Sequence, residues 1–166
     1  MTDDVPDRAV RAFDEHADFT ADGSRFVSTA TEFDAHVTVS ETDDWDLHYL
    51  VTVHAPLLSS VTEDDVHEVV EDGWFETFEL RLEDAPGAVV QNIELGEFEV
   101  RRSGGDAIVT FGFEYGNAGN APEIAHALID YVEGTYMEGV IPGYTYLPPV
   151  ADMVSRAHQS SGGSPL

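Results

Sequence analysis

The chain has 166 residues, a length that fits one domain with a core large enough to fold unaided. Its 33 Asp and Glu outnumber 7 basic residues, all of them Arg, giving a formal net charge of −26 with neither lysine nor cysteine present. These counts exclude disulfides, thiolate metal sites, cysteine nucleophiles, Schiff-base lysines and the lysine of a phosphate-binding loop. They also disfavour direct contact with nucleic acid or an anionic membrane, both of which rest on cationic side chains.

The pattern along the chain predicts a first helix capped by Asp4, with Pro6 in its first turn. Its apolar face is Ala9, Val10, Ala12, Phe13 and Ala17, and it ends before Asp22-Gly23. Phe26 and Val27 suit a short strand. Residues 33–40 and 45–53 alternate, with Phe33, Ala35, Val37 and Val39 on one inward phase and Trp45, Leu47, Tyr49, Val51 and Val53 on the other. With a tight turn at Thr42-Asp43-Asp44 they predict a hairpin that pairs Val39 with Leu47 and Val37 with Tyr49.

Thr62-Glu63-Asp64-Asp65 reads as the start of a second helix that stops at Gly73, followed by a strand with Phe78, Leu80 and Leu82 inward. Asp84-Ala85-Pro86-Gly87 is a turn. Residues 93–101 read as a strand that changes phase at a β-bulge on Gly96. Residues 107–115 read as another strand, joined to it by Ser103-Gly104-Gly105-Asp106. Asn120, Pro122 and Glu123 open a helix ending between Gly134 and Gly139. A last helix carries Val150, Met153, Val154 and Ala157. Short connections imply antiparallel pairing. The expected fold is α+β: a single antiparallel sheet of five or six strands with helices packed on one face. The expected layout is one domain over 1–158 and a flexible tail over 159–166.

The acid excess, the missing lysine and runs such as Glu41-Thr42-Asp43-Asp44 and Thr62-Glu63-Asp64-Asp65 resemble small acidic haloarchaeal proteins of uncharacterised function. The acidic helix at residues 3–17 and the Ile141-Pro142-Gly143-Tyr144 segment fit the same resemblance. It implies a high-salt cytoplasm and no particular activity. At about 1 M salt the Debye length is about 3 Å and most surface repulsion is screened. The apolar content, 42% with 10% aromatic, argues against global disorder. Met1-Thr2-Asp3-Asp4 lacks the basic and apolar parts of a signal peptide, and no apolar run reaches membrane-spanning length. The expectation is a soluble cytoplasmic protein.

Five groups of residues bear on chemistry. On the outward face of the first hairpin, the expected register brings His36 diagonal to His48, flanked by Asp34 and Asp46, a donor set suited to Zn²⁺ or Ni²⁺; the plainer reading, which the absence of HxH or HxxxH spacing favours, is ordinary solvated residues on a polar sheet face. His67-Glu68-Val69-Val70-Glu71 follows a zinc-protease helix except that Glu71 stands where the second histidine belongs. The loop Gly112–Asn120 is glycine-rich and leads into a helix, as an anion cradle does, but no basic residue is near it in sequence. Serines lack a nucleophile-elbow setting, and carboxylates are too common to mark an acid–base pair. The run 141–149 is uncharged; within it Tyr144, Tyr146, Leu147 and Pro149 form the best interaction candidate, against a covering role at the core edge. The leading expectation is a non-enzymatic protein-interaction or accessory module, with an unknown protein partner or a second copy, no cofactor and no assigned catalytic residue. The alternative is a small-ligand-binding protein or small enzyme with a pocket between sheet and helices.

Overall fold

The computed structural model describes residues 5–162, with side chains described through residue 157. The elements run α1 (Asp7–Asp14), β1 (Phe19–Asp22), β2 (Arg25–Ser28), β3 (Asp34–Glu41), β4 (Leu47–Pro56), α2 (Glu68–Leu82), β5 (Glu97–Ser103), β6 (Asp106–Tyr115), α3 (Ala121–Glu138) and α4 (Val150–Gly162). The strands form a six-stranded antiparallel sheet in the order β1-β2-β3-β4-β6-β5, so the α+β class is as the sequence implies. The inward phases of the strands join the apolar faces of the helices in one core cluster, and the other sheet face carries the polar phases.

Four local readings are corrected. The first helix is shorter than expected. Pro6, not an acidic side chain, sits at its N-cap, and Asp4 lies outside the described residues. The backbone N–H of Asp18 donates to His16 Nδ1 at 3.2 Å, turning the chain so that Phe19 enters a strand. Phe13 then stacks on Phe26 with centroids 4.5 Å apart and meets Phe19 edge-on, which rewards the break. Ala17, expected on the helix face, is exposed.

The second correction concerns α2. It begins at Glu68, capped by the His67 side chain, and runs through Gly73 to Leu82. The segment read as a strand is therefore helical. Trp74, Phe78 and Leu82 repeat every fourth residue and are buried with Phe75, whereas Leu80 is 64% exposed. The Trp74 ring stacks on Phe78 at 5.3 Å, and both meet Tyr136 of α3 edge-on. Those contacts favour the fourfold repeat over the alternation of 78, 80 and 82. Thr62 instead forms an isolated antiparallel bridge with Tyr146.

Third, Gly96 ends an irregular segment instead of forming a bulge. Its N–H donates to Gly112 O at 2.8 Å, and the strand proper starts at Glu97. Gly112 has a steric reason to be glycine, since a Cβ there would lie 2.9 Å from the Cβ of Glu97 on the neighbouring strand. Fourth, the first hairpin is longer and its register is shifted by two. Val39 pairs with Tyr49 and Val37 with Val51, leaving residues 42–46 as the loop. Thr42 Oγ1 donates to Asp46 O at 2.6 Å, and Asp46 N donates to Asp44 Oδ1 at 2.9 Å, which holds the wider turn. A shift of two preserves the inward phase, so the core is unaffected while every neighbour on the outer face changes. Trp45 leaves the core phase and stands 71% exposed in this loop.

At the other end, α4 continues to Gly162, into the segment expected as a tail. Residues 163–166 lie outside the described residues.

Candidate functional site

The shifted register separates the expected metal donors. His36 pairs with Thr52 and His48 with Ser40, so the two imidazoles stand four positions apart along the sheet, about 13 Å at 3.3 Å per residue. Asp46 is in the loop. His48 lies beside Glu114 at 4.0 Å, and His36 beside Arg25, whose guanidinium nitrogen is 3.4 Å from His36 Nδ1. Burial, with Arg25 and His54 nearby, holds the His36 imidazole below its ordinary pKa. His54, in turn, is 3.6 Å from Asp106. Among the described residues, no group of three or more His, Asp or Glu has a metal-holding arrangement.

His67 and Glu71 both have structural partners. His67 Nδ1 accepts from Val69 N at 3.2 Å, and the Glu71 carboxylate accepts from the N–H and hydroxyl of Ser59. The first bond caps α2 and the second ties it to the 3-10 turn Leu58–Ser60.

The 141–149 segment is a well-bonded crossover. Tyr146 Oη accepts from Ile141 N at 2.8 Å and donates to Ile141 O at 3.1 Å, closing its own turn. Leu147 N donates to Val61 O, Glu63 N to Thr145 O, and Thr145 N to Asp64 Oδ2. Tyr144, Tyr146, Leu147 and Pro149 are each half-buried. Tyr144 packs edge-on to Tyr146 with centroids 6.4 Å apart. The segment thus lies against the loop that leads into α2, with one aromatic ring tied down by its hydroxyl and Tyr144 beside it.

Next to this crossover a cleft of about 310 Å³ opens between α2 and α3. Val69 and Val70 form its mouth, Trp74 and Phe78 its floor, and Gly139 and Ile141 its far wall. Val69 is 71% and Val70 37% exposed, unusual for the first turns of an otherwise acidic helix. Trp74 is buried, yet its Nε1 has no hydrogen-bond partner among the described residues. A Cβ on Gly139 would lie 3.2 Å from that nitrogen, so glycine at the end of α3 is what leaves the indole edge room. The cleft is hidden in the sequence because Gly73 resembles a helix stop. The spacing of Trp74, Phe78 and Leu82 was the available signal. The cleft lies between two helices, not between sheet and helices, where buried aromatic and aliphatic side chains fill the space.

A histidine cluster also escaped the sequence. His16 from the end of α1 and His126 from α3 flank the Asp18 carboxylate at 3.9 and 3.8 Å, with their rings 6.3 Å apart. His126 lies 108 residues beyond Asp18 in the chain, so no local pattern announces it. Likewise, the glycine-rich loop before α3 does have basic neighbours. Arg8 Nη1 donates to Gly116 O at 2.8 Å, and Arg11 lines the same opening.

No curated protein and no solved structure matches the chain. Residues 14–156, from the end of α1 into α4, match a protein family described as a family of unknown function (DUF5813). By that match, which spans all six strands, the chain belongs to the DUF5813 family.

Proposed function

We propose that the protein is a non-enzymatic interaction module of a high-salt cytoplasm, and that it receives an apolar side chain of a partner protein in the α2–α3 cleft. The observation that carries this is the cleft's mouth: two exposed valines above a Trp–Phe floor, with Ile141, at the start of the crossover that carries Tyr144, Tyr146, Leu147 and Pro149, in the opposite wall. A formal charge of −26 supports the high-salt setting.

Charge decides the kind of partner. Helix α2 carries Glu68, Glu71, Asp72, Glu76 and Glu79. A second copy would set acidic helix against acidic helix, whereas a partner with basic groups around an apolar anchor complements the rim. The test is affinity recovery in molar KCl with wild-type bait, Val69→Asp, Tyr144→Ala and, as a surface control, Val90→Asp. Val90 is 97% exposed and lines no part of the cleft. The expected result is a protein retained by wild type and the Val90 variant and lost with Val69→Asp. Identical recovery by all four baits would rule the reading out. Tyr144 is preferred to Tyr146 because the Tyr146 hydroxyl holds the turn itself.

A second reading, a small apolar ligand in the same cleft, is favoured by one observation: the unpartnered indole N–H of Trp74, which suits a ligand with an acceptor atom. Saturable quenching of Trp74 emission by a soluble ketone in the Trp45→Phe protein, absent when Val70→Asp is added, is its signature.

A further inference from the structure

Helix α1, the 42–46 loop and the β6–α3 connection border a second, shallow opening of about 550 Å³. Its chemistry is unlike the rest of the molecule. Two of the chain's 7 arginines, Arg8 and Arg11, line it, together with Trp45, Glu15 and the backbone of residues 116–119.

The two arginines have different roles. Arg8 is committed to structure: it donates to the carbonyls of Gly116 and Trp45, and its guanidinium carbon lies 3.7 Å from the centroid of the Trp45 ring. This cation–π contact fixes the indole plane from one side. Because Trp45 is still 71% exposed, the other ring face is open to solvent. Gly116 approaches the edge of the indole, since a Cβ there would lie 3.3 Å from Trp45 Cδ1. Arg11, one turn along α1 from Arg8, has no carboxylate within ion-pair distance among the described residues; Arg8 and Arg81 likewise have none, but Arg8 is held by two carbonyls and Arg81 lines the α2–α3 cleft, whereas Arg25, Arg101, Arg102 and Arg156 are each paired. Among the described residues, then, Arg11 has no ion pair and lines the same opening as a held, exposed indole, with the Glu15 carboxylate also in the lining and Asp46 beside Gly116.

We propose that this opening binds a small molecule with a planar ring and an anionic group, the ring stacked on the free face of Trp45 and the anion held by Arg11. A flat ring matches a preset indole plane, and the guanidinium fork matches a carboxylate or phosphate. The high-salt setting favours this combination. Long-range steering is screened there, but stacking and a direct charged hydrogen bond are contact interactions. Neither part of the ligand suffices: a ring alone leaves Arg11 unused, and an anion alone meets the field of the surrounding acids.

The test is titration of intrinsic fluorescence in molar KCl, with the Trp74→Phe protein isolating the emission of Trp45. Four probes divide the chemistry: adenosine monophosphate and benzoate carry ring and anion, adenosine the ring only, inorganic phosphate the anion only. Saturable quenching by adenosine monophosphate or benzoate, roughly tenfold or more tighter than by adenosine or phosphate, is expected. A further pair that shares one ring, benzoate and phenyl phosphate, assigns the anion as carboxylate or phosphate by which of the two binds more tightly. Arg11→Gln should weaken binding by roughly tenfold and Arg11→Lys by less. Equilibrium dialysis of Trp45→Ala, whose exposed side chain the core does not use, should show binding lost. No saturable quenching by any ring-bearing anion up to about 10 mM, well above the range of ordinary metabolite sites, overturns the proposal. So does binding that survives both Arg11→Gln and Trp45→Ala.

Discussion

Replacing Leu80 and Leu82 separately by alanine distinguishes the two periodicities available to residues 77–82. As a strand, the segment would turn both leucines to the same buried face. In α2, Leu82 is fully buried while Leu80 is 64% exposed. Truncating a fully buried leucine removes its transfer free energy and leaves a cavity, which costs about 3 kcal/mol within a range of roughly 2–5. For a chain of this length, about 1 kcal/mol moves the melting midpoint by about 2–4 °C, so Leu82→Ala should lower it by about 6–12 °C. Leu80→Ala leaves no cavity and suits a helix, and its effect should stay within about 0.5 kcal/mol, or about 2 °C. Gly73→Ala supplies a second discriminator. Gly73 is in the helix interior, and a Cβ there would meet nothing within 4 Å, so alanine should stabilise by about 0.5–1 kcal/mol. At a left-handed helix stop the same change would destabilise. Melts followed by far-UV circular dichroism in molar KCl give all three values. Equal losses for the two leucines, or a loss at Gly73→Ala, would refute the helical account of α2.

Three further outcomes follow from particular groups. The Tyr49 hydroxyl is buried without a partner among the described residues, and burial pushes its pKa up to about 12. Tyr49→Phe, which keeps the stack on Phe113, should raise stability by about 1 kcal/mol in urea unfolding, and a comparable loss would show that the hydroxyl is satisfied. His36 is held below its ordinary pKa by burial, Arg25 and His54. The unfolded chain therefore takes up the proton first, and stability falls as pH drops below about 6.5 until the folded imidazole titrates too. His36→Gln should flatten the melting midpoint across that window, and unchanged slopes would exclude the contribution. Finally, a net charge of −26 predicts a lower melting midpoint in millimolar than in molar KCl, and a midpoint that held or rose on dilution would remove the high-salt reading.

The strands with strict alternation were legible because one buried face imposes a period of two. Thus β3 emerged with the correct inward residues and β4 with all but Trp45, β6 emerged as a strand, and α3 from Asn120, Pro122 and Glu123 at its start. Register was less legible. Only side-chain bonds within the loop, from Thr42 and Asp44, set its length, and the apolar pattern tolerates a shift of two. Helix α2 was misread because a glycine near its middle resembled a stop, and because Phe78 and Leu82 fit both periods while an exposed Leu80 between them completes an apparent alternation. The partners that decide between them, Trp74 and Tyr136, are resolved only by packing. The candidate sites fared worse for the same reason. Arg11 and Trp45, or Asp18 and His126, meet only after the sheet has formed.

The strand order also bears on how the chain is made. Strands β1 to β4 form a meander whose pairings are all between neighbours in sequence, so they can form as soon as residue 56 has left the ribosome. The other edge of β4 waits for β6, with residues 57–105 in between, and its inward face waits for α3. During that interval Tyr49 has only Phe13 of α1 beside it, the inward face over Val51 and Val53 lacks α3, and an unpaired central strand is a template for another chain. Salt that screens the acidic coat also weakens the repulsion that would keep two such chains apart. The hazardous period in the life of this protein is therefore the translation of residues 57–138, and it ends when α3 closes over the sheet.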